Sequence, residues 1–393
     1  MSASGLSKQR LARLDAAMQR FVDEGNFAGV LSLVWRRGEV AHVHPAGWRD
    51  LAGRVPMQRD TIFRIASMTK PVVSAAVLVL VEEGRLRLAD PVARWLPEVA
   101  DARVLRAPHA TLDDTVPAVR APTLHDLLTH TGGFSGRIGA ETPLTRAMRE
   151  IDQGPWTPHE PDEFVRRIGA LPLVAQPGTA WHYGVSTDLL GVVVARAGGR
   201  SLPAFLQERI FQPLGMADTA FFVPPGKQQR LSAAYARDAE GRLALHEPRA
   251  GHWSAPPVFP AGGSGLVSTA DDYLAFARML LGGGRLGRER VLSRPAVALM
   301  TANHLSAGQI RPLFPAVDFL HGRGFGLGVS VSFAADTVLG SAGKFGWPGA
   351  YTTGWFADPH EDLIGLVMTQ LWLDARLEIR PTFENLAYQA IDD

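Results

Sequence analysis

Apolar positions change period several times along the chain, and each change marks an element. Leu11, Leu14, Met18 and Phe21 recur at spacings of three and four, which predicts an amphipathic helix near the N-terminus. Two β-rich runs follow, at 29–36 and 39–47, and Arg37-Gly38 between them reads as a hairpin turn. TIFRIAS reads as a further short strand. PVVSAAVLVLVEEG is apolar all round, so it predicts a buried helix rather than an amphipathic one, ending at Gly84.

The pattern then loses its period. Residues 100–160 are rich in Pro, Gly and Asp and read as loops around short helices such as APTLHDLLTH. Two helical patterns occupy 186–212. The stretch 223–263 is again rich in Pro and Gly, and little regular structure is expected there. STADDYLAFARMLLGGG is a helix with its signals in place: Ser268 or Thr269 as cap, Asp271 and Asp272 at the positive dipole end, and a glycine run as the stop. Asp271-Asp272 is therefore read as helix chemistry. Three β-like runs close the pattern, FGLGVSVSF, GAYTTGWFADP and LIGLVMTQLW, before a last helix over roughly 381–391.

Helix and strands at the start, helices in the middle, strands and a helix at the end predict an α/β (α+β) fold. Its sheet domain would be discontinuous, 1–98 with 264–393. Residues 99–263 would form a mainly helical and loop lobe that walls one side of the active site. No repeat or low-complexity segment interrupts this plan.

Composition narrows the function classes. The 393 residues carry a formal net charge of +1, so no electrostatic case exists for nucleic acid or an anionic membrane surface. No run of eighteen apolar residues is present, and the N-terminal segment lacks the continuous apolar stretch of a leader. The expected location is the cytoplasm. The absence of cysteine removes disulfides, thiolate metal sites and a cysteine nucleophile. No His/Asp/Glu grouping has convincing metal-ligand spacing, so neither a metal nor another cofactor is expected. Oligomeric state is not legible.

The chemistry-bearing string is Ser67-Met68-Thr69-Lys70, between a strand and the buried helix. If the helix starts near Ser67, the i,i+3 spacing puts hydroxyl and amine on one face. The helix N-terminus then favours an oxyanion forming there. A serine needs an adjacent base. A lysine amine is a base only when neutral, and its ordinary pKa of about 10.4 means the site must disfavour the charge. Arginine could not do this. The chain has only four lysines, Lys8, Lys70, Lys227 and Lys344, among 40 basic residues, so a lysine at 70 is informative. Trp181-His182-Tyr183-Gly184-Val185 offers a tyrosine as a second acid/base group. Lys344-Phe345-Gly346-Trp347-Pro348-Gly349-Ala350 is a glycine-containing strand whose backbone can approach a substrate closely.

In this order the segments resemble the β-lactamase-like serine hydrolase superfamily: class C β-lactamases, D-alanyl-D-alanine carboxypeptidases and family VIII carboxylesterases. The resemblance covers nearly the whole chain. It rests on FRIASMTKPVVSAAVLVLVEEGRLRLADPVARWLPE, LHDLLTHTGGF, the tyrosine segment, LVSTADDYLAFARMLLGGG and FGWPGAYTTGWFADPHEDLIGLVMTQ. It implies an antiparallel sheet flanked by helices, with Ser67 as nucleophile, Lys70 as general base and Tyr183 as its acid/base partner. It also implies an oxyanion hole from the N–H groups of Ser67 and Ala350, and Trp347, with Gly349, lining the substrate.

The sequence departs from the superfamily's patterns in three ways. Val185 stands where class C enzymes have the Asn of Tyr-x-Asn. Trp347-Pro348-Gly349 stands where β-lactamases have Lys-Thr-Gly, and family VIII carboxylesterases typically carry Trp-Gly-Gly. Lys344 is three residues too early to serve as the triad lysine. A site without that amide and ammonium suits a neutral ester, so the expected activity is a carboxylesterase acting on short-chain or unhindered esters. β-Lactamase, D-amino-acid peptidase and acyltransferase activities remain alternatives, as does a non-catalytic scaffold. Phe134, Trp181 and Trp253 are candidate pocket residues. HTGG at 130–133 is read as a turn that shapes the pocket, and His360 as part of a surface turn.

Overall fold

The computed structural model describes residues 4–249, 251–310, 320, 323–333, 338–374 and 378–393. Helix α1 (Lys8–Asp23) buries Leu11, Leu14 and Met18, as its spacing predicts, together with Ala17, while Phe21 is half-buried. Strands β1 (Gly29–Arg36) and β2 (Glu39–Asp50) form the hairpin around Arg37-Gly38, and β3 (Val55–Pro56) extends it. The strands Leu363–Met368, Gly354–Asp358, Phe345–Gly346, Ser330–Val331 and Gly324–Phe325 continue the sheet on the other side of β1. All eight strands pair antiparallel, with Leu31 opposite Met368 and Leu33 opposite Val43.

Every residue of β1 is buried, because both faces of the sheet are covered. Val30 and Val34 pack with α1 and the C-terminal helix Ile379–Gln389. Leu31, Leu33 and Trp35 face the main core, which contains α2 (Thr69–Glu82) and the helix Ala270–Leu281. The first twelve residues of α2 are all buried, as an apolar helix requires. Thr269 caps the helix Ala270–Leu281 by accepting from the Asp272 N–H. Each large apolar side chain so buried contributes roughly 1.5–3 kcal/mol.

Three expectations need correction. The stretch 223–263 holds a hairpin, Ala234–Arg237 with Leu243–Glu247. It packs beside the sheet, since Tyr235 N–H donates to Gln370 O and Trp372 N–H to Tyr235 O. FGLGVSVSF is not one strand but two short ones. Gly328 turns the chain at φ +84° over α2, where a Cβ would lie 2.1 Å from Ser74 Oγ. GAYTTGWFADP becomes a strand only from Gly354, because residues 349–353 form a tight segment with Thr352 at φ +59°. No single helix among the described residues is long and apolar enough to cross a membrane.

Candidate active site

Ser67 lies in a 3-10 turn, Ala66–Met68, between β4 (Phe63–Arg64) and α2. Ala66 sits at φ +41°, unfavourable for a residue with a Cβ, so its surroundings must hold it. They do so with three bonds. Ile65 N–H donates to Leu266 O at 3.1 Å, Leu266 N–H to Thr69 Oγ1 at 3.1 Å, and the buried Tyr273 hydroxyl to Met68 O at 2.8 Å.

Lys70 is 4% exposed on the first turn of α2. Its Nζ donates to Ser67 Oγ at 3.3 Å and to Gly263 O at 2.7 Å. Gly263 in turn donates its N–H to Asp188 Oδ1 at 2.9 Å. A Cβ at position 263 would lie 2.4 Å from Asp188 Oδ2, so the position demands glycine. Asp188 projects from the first turn of the helix Ser186–Gly198. Burial, with the Asp152 charge added, pushes its carboxyl up to about 6, against the opposing pull of Lys70, the Gly263 N–H and Arg137. Sequence reasoning missed Asp188 and Gly263. A lone carboxylate in STDLLGVVVARAG was the available signal.

An aromatic wall stands opposite. Trp181, Phe325 and Trp347 pack together, with Tyr183 against them. Trp347 Nε1 donates to the Tyr183 hydroxyl at 3.1 Å. Lys70 Nζ lies 4.6 Å from the centre of the Tyr183 ring, so the amine meets the tyrosine on its π face. His130 completes the wall, 4.8 Å from the Tyr183 ring and at φ +55°. It is fully buried, and burial with the Lys70 charge holds its pKa well below the usual histidine range. His182 is depressed to about 4 by burial.

The segment 349–351 runs along the far side of the Ser67 turn. A Cβ on Gly349 would lie 2.4 Å from Ile65 O, and Ala66 packs with Tyr351 and Ala350. Of the remaining pocket candidates, Phe134 packs in the main core. Trp253 packs with Ile62, Val223, Leu231 and Val267 and lines a cavity with Trp156, His252 and Phe259.

An eight-stranded antiparallel sheet flanked by helices, as in this chain, has counterparts among known proteins. A family model described as β-lactamase matches residues 14–389. The chain belongs to the β-lactamase family. Esterase EstB of Burkholderia gladioli is 32% identical over 386 residues, covering 91% of this chain and 90% of that protein. Protein Rv1367c of Mycobacterium tuberculosis is 43% identical over 360 residues, covering 90% and 88%. The solved structure of EstCE1, a hydrolase with promiscuous acyltransferase activity, superposes with a TM-score of 0.79. It is 27% identical, and the match covers 98% of this chain and 99% of that one.

Within the β-lactamase family frame, the departures acquire positions. Val185 is buried in the main core, and its N–H donates to Ser135 O at 3.2 Å. Lys344 is turned away from Ser67 and pairs with Glu384 of the C-terminal helix at 2.9 Å. Trp347 belongs to the aromatic wall. His360 sits on an exposed turn. Among the described residues no three His, Asp or Glu groups are placed to hold a metal ion.

Proposed function

We propose that the protein is a serine carboxylesterase of the β-lactamase family, acting on short-chain or unhindered esters through a Ser67 acyl-enzyme. The observation that carries this reading is the Lys70 Nζ–Ser67 Oγ contact of 3.3 Å, closed by a wall of aromatic rings rather than by polar anchors. Ser67 Oγ attacks the ester carbonyl while its proton passes to the Lys70 amine, the base of the pair. The N–H groups of Ser67 and Ala350 receive the oxyanion. The alkoxide leaves with a proton returned from the Lys70–Tyr183 pair, and water then cleaves the acyl-enzyme by the reverse relay. The 32% identity to the esterase EstB supports ester substrates. An ester also suits a site without the amide and ammonium that would hold a β-lactam.

The likeness to EstCE1, with its promiscuous acyltransferase activity, favours one second reading: transfer of the acyl group to an alcohol instead of water. Hydrolysis of p-nitrophenyl acetate, butyrate and octanoate beside nitrocefin, with wild type and Ser67→Ala, tests the first. Turnover of the esters that vanishes in Ser67→Ala, with nitrocefin slow, is expected. Fast nitrocefin turnover overturns the ester reading. Faster p-nitrophenol release on adding a primary alcohol, with a new ester as product, establishes the transferase.

A further inference from the structure

Behind the Ser67 turn, a carboxylate is buried on the side away from the aromatic wall. Glu247 ends the hairpin strand Leu243–Glu247 and is 8% exposed. Its Oε2 accepts from Arg64 Nε at 2.9 Å and from Trp253 Nε1 at 2.7 Å. Its Oε1 accepts from the Tyr351 hydroxyl. Arg64 stands three residues before Ser67, and Tyr351 directly follows Ala350. One side chain therefore reaches both segments that would supply the oxyanion hole.

The two ends of this link are themselves fixed. The Arg64 side chain is fully buried and also donates to Ser232 O at 2.6 Å and Pro248 O at 2.7 Å. Its peptide is clamped by Gln370, which accepts from Arg64 N–H at 3.0 Å and donates to Arg64 O at 3.0 Å. On the other end, Tyr351 O accepts from Thr369 Oγ1 at 2.8 Å and Leu371 N–H at 3.2 Å, while Ala350 O accepts from Leu373 N–H at 2.8 Å. Residues 369–371 thus tie the two segments together through their main chains, Gln370 on Arg64 and Thr369 with Leu371 on Tyr351. Glu247 adds a second tie through the Arg64 and Tyr351 side chains.

We propose that Glu247 is a positioning residue for the oxyanion hole, bracing the distance between the Ser67 and Ala350 amides through the Arg64 side chain on one side and the Tyr351 side chain on the other. This inference rests on the ester reading above. A hole stabilises the transition state only when its donors are in place before charge develops, and a loosened support shell forfeits that advantage. The carboxylate brings no competing field to the site, because its charge is matched by Arg64. Arg64 and Trp253 donate to one oxygen and the Tyr351 hydroxyl meets the other, so an amide can keep its carbonyl oxygen towards the two N–H donors and donate its NH2 to the hydroxyl, which can accept. Glu247→Gln thus keeps the shape of the link and removes the charge that strengthens it at both ends.

The test compares p-nitrophenyl butyrate with its thionoester, whose C=S sulfur is a larger and poorer acceptor and so gains less from the hole. Wild type, Ser67→Ala, Glu247→Gln and Tyr351→Phe are assayed, with rates normalised to folded protein by thermal melting. Glu247→Gln is expected to lower kcat on the oxygen ester ~10- to 100-fold, leave KM within about twofold, and shrink the oxygen-over-sulfur preference by about tenfold. Tyr351→Phe removes one hydroxyl only, so it supplies the same readout if Glu247→Gln does not fold, with an effect of about 3- to 10-fold. An unchanged preference in both variants, with Ser67-dependent turnover intact, overturns the inference and leaves Glu247 a stability strut. Ester turnover that survives Ser67→Ala overturns the ester reading instead.

Discussion

The two sides of the Ser67 turn are built on opposite principles. Behind it, Arg64, Glu247, Tyr351, Trp253 and Gln370 form a network of charge-assisted bonds in which the carboxylate and guanidinium are both partnered. In front, Trp181, Tyr183, Phe325 and Trp347 meet mainly through ring faces and edges. His130 is embedded among them with neither ring nitrogen hydrogen-bonded among the described residues. A buried ionic network has one acceptable geometry and fails sharply when a member is removed. A packed aromatic wall tolerates exchange of one ring for another at modest cost. The first arrangement suits fixed amides. The second suits a surface whose shape selects among substrates.

The largest effect should come from the network. Glu247→Ala leaves the fully buried Arg64 guanidinium without its counter-charge, and the expected loss is about 3–5 kcal/mol of folding stability. Urea unfolding followed by intrinsic fluorescence measures it. A loss below about 1 kcal/mol would show that Ser232 O and Pro248 O suffice for Arg64, and the contrast between the two sides would collapse.

The next effect is a pH dependence with two opposed contributions around Tyr183. His182, depressed to about 4, is neutral when folded but protonated when unfolded at intermediate pH. Stability from this group is present above pH 6.5 and lost as pH falls towards 4. Asp188, raised to about 6, acts in the other sense. The folded state binds its proton more tightly, so its contribution is gained on acidification and lost as pH rises from about 4 through 6. Asp188→Asn keeps an acceptor for the Gly263 N–H but removes the titration. Between pH 6.5 and 4.5 the variant should lose on the order of 2 kcal/mol more stability than wild type. Parallel urea midpoints for the two proteins across that range would refute the assignment.

These contrasts also explain what could be read in the chain. The helix at 8–23, the hairpin around Arg37-Gly38, the buried helix ending before Gly84 and the capped helix after Thr269 are written in local period, caps and turn residues. So is the Ser67–Lys70 pair, because i,i+3 is a local geometry. Glu247 and Arg64 lie 183 positions apart and Glu247 and Tyr351 lie 104 apart, and no local pattern connects them. Their hairpin was hidden because LALHE alternates weakly and is bordered by Pro and Gly. Lys70 reaches Gly263, and Gly263 reaches Asp188, only once α2 and the helix Ser186–Gly198 are packed together. Long-range polar bonds, rather than secondary structure, are what the sequence pattern leaves unread.

The smallest effect should come from the aromatic wall, and it probes the contrast most finely. Trp347→Phe keeps a ring against Trp181 and Phe325 but deletes the indole N–H that donates to the Tyr183 hydroxyl at 3.1 Å. Losing one neutral bond is worth roughly 0.5–1.5 kcal/mol, so kcat on p-nitrophenyl butyrate should fall about 3- to 10-fold. The smaller ring leaves space beside the substrate, so the octanoate-to-acetate preference should rise while the melting temperature moves by only a few degrees. A wall that merely packs would change the chain-length preference without slowing acetate. A wall that also orients Tyr183 slows every substrate by a similar factor, because the lost bond lies on the acid/base group rather than on the acyl chain. Comparing acetate with octanoate in this one variant therefore separates the wall's shape from its hydrogen bond.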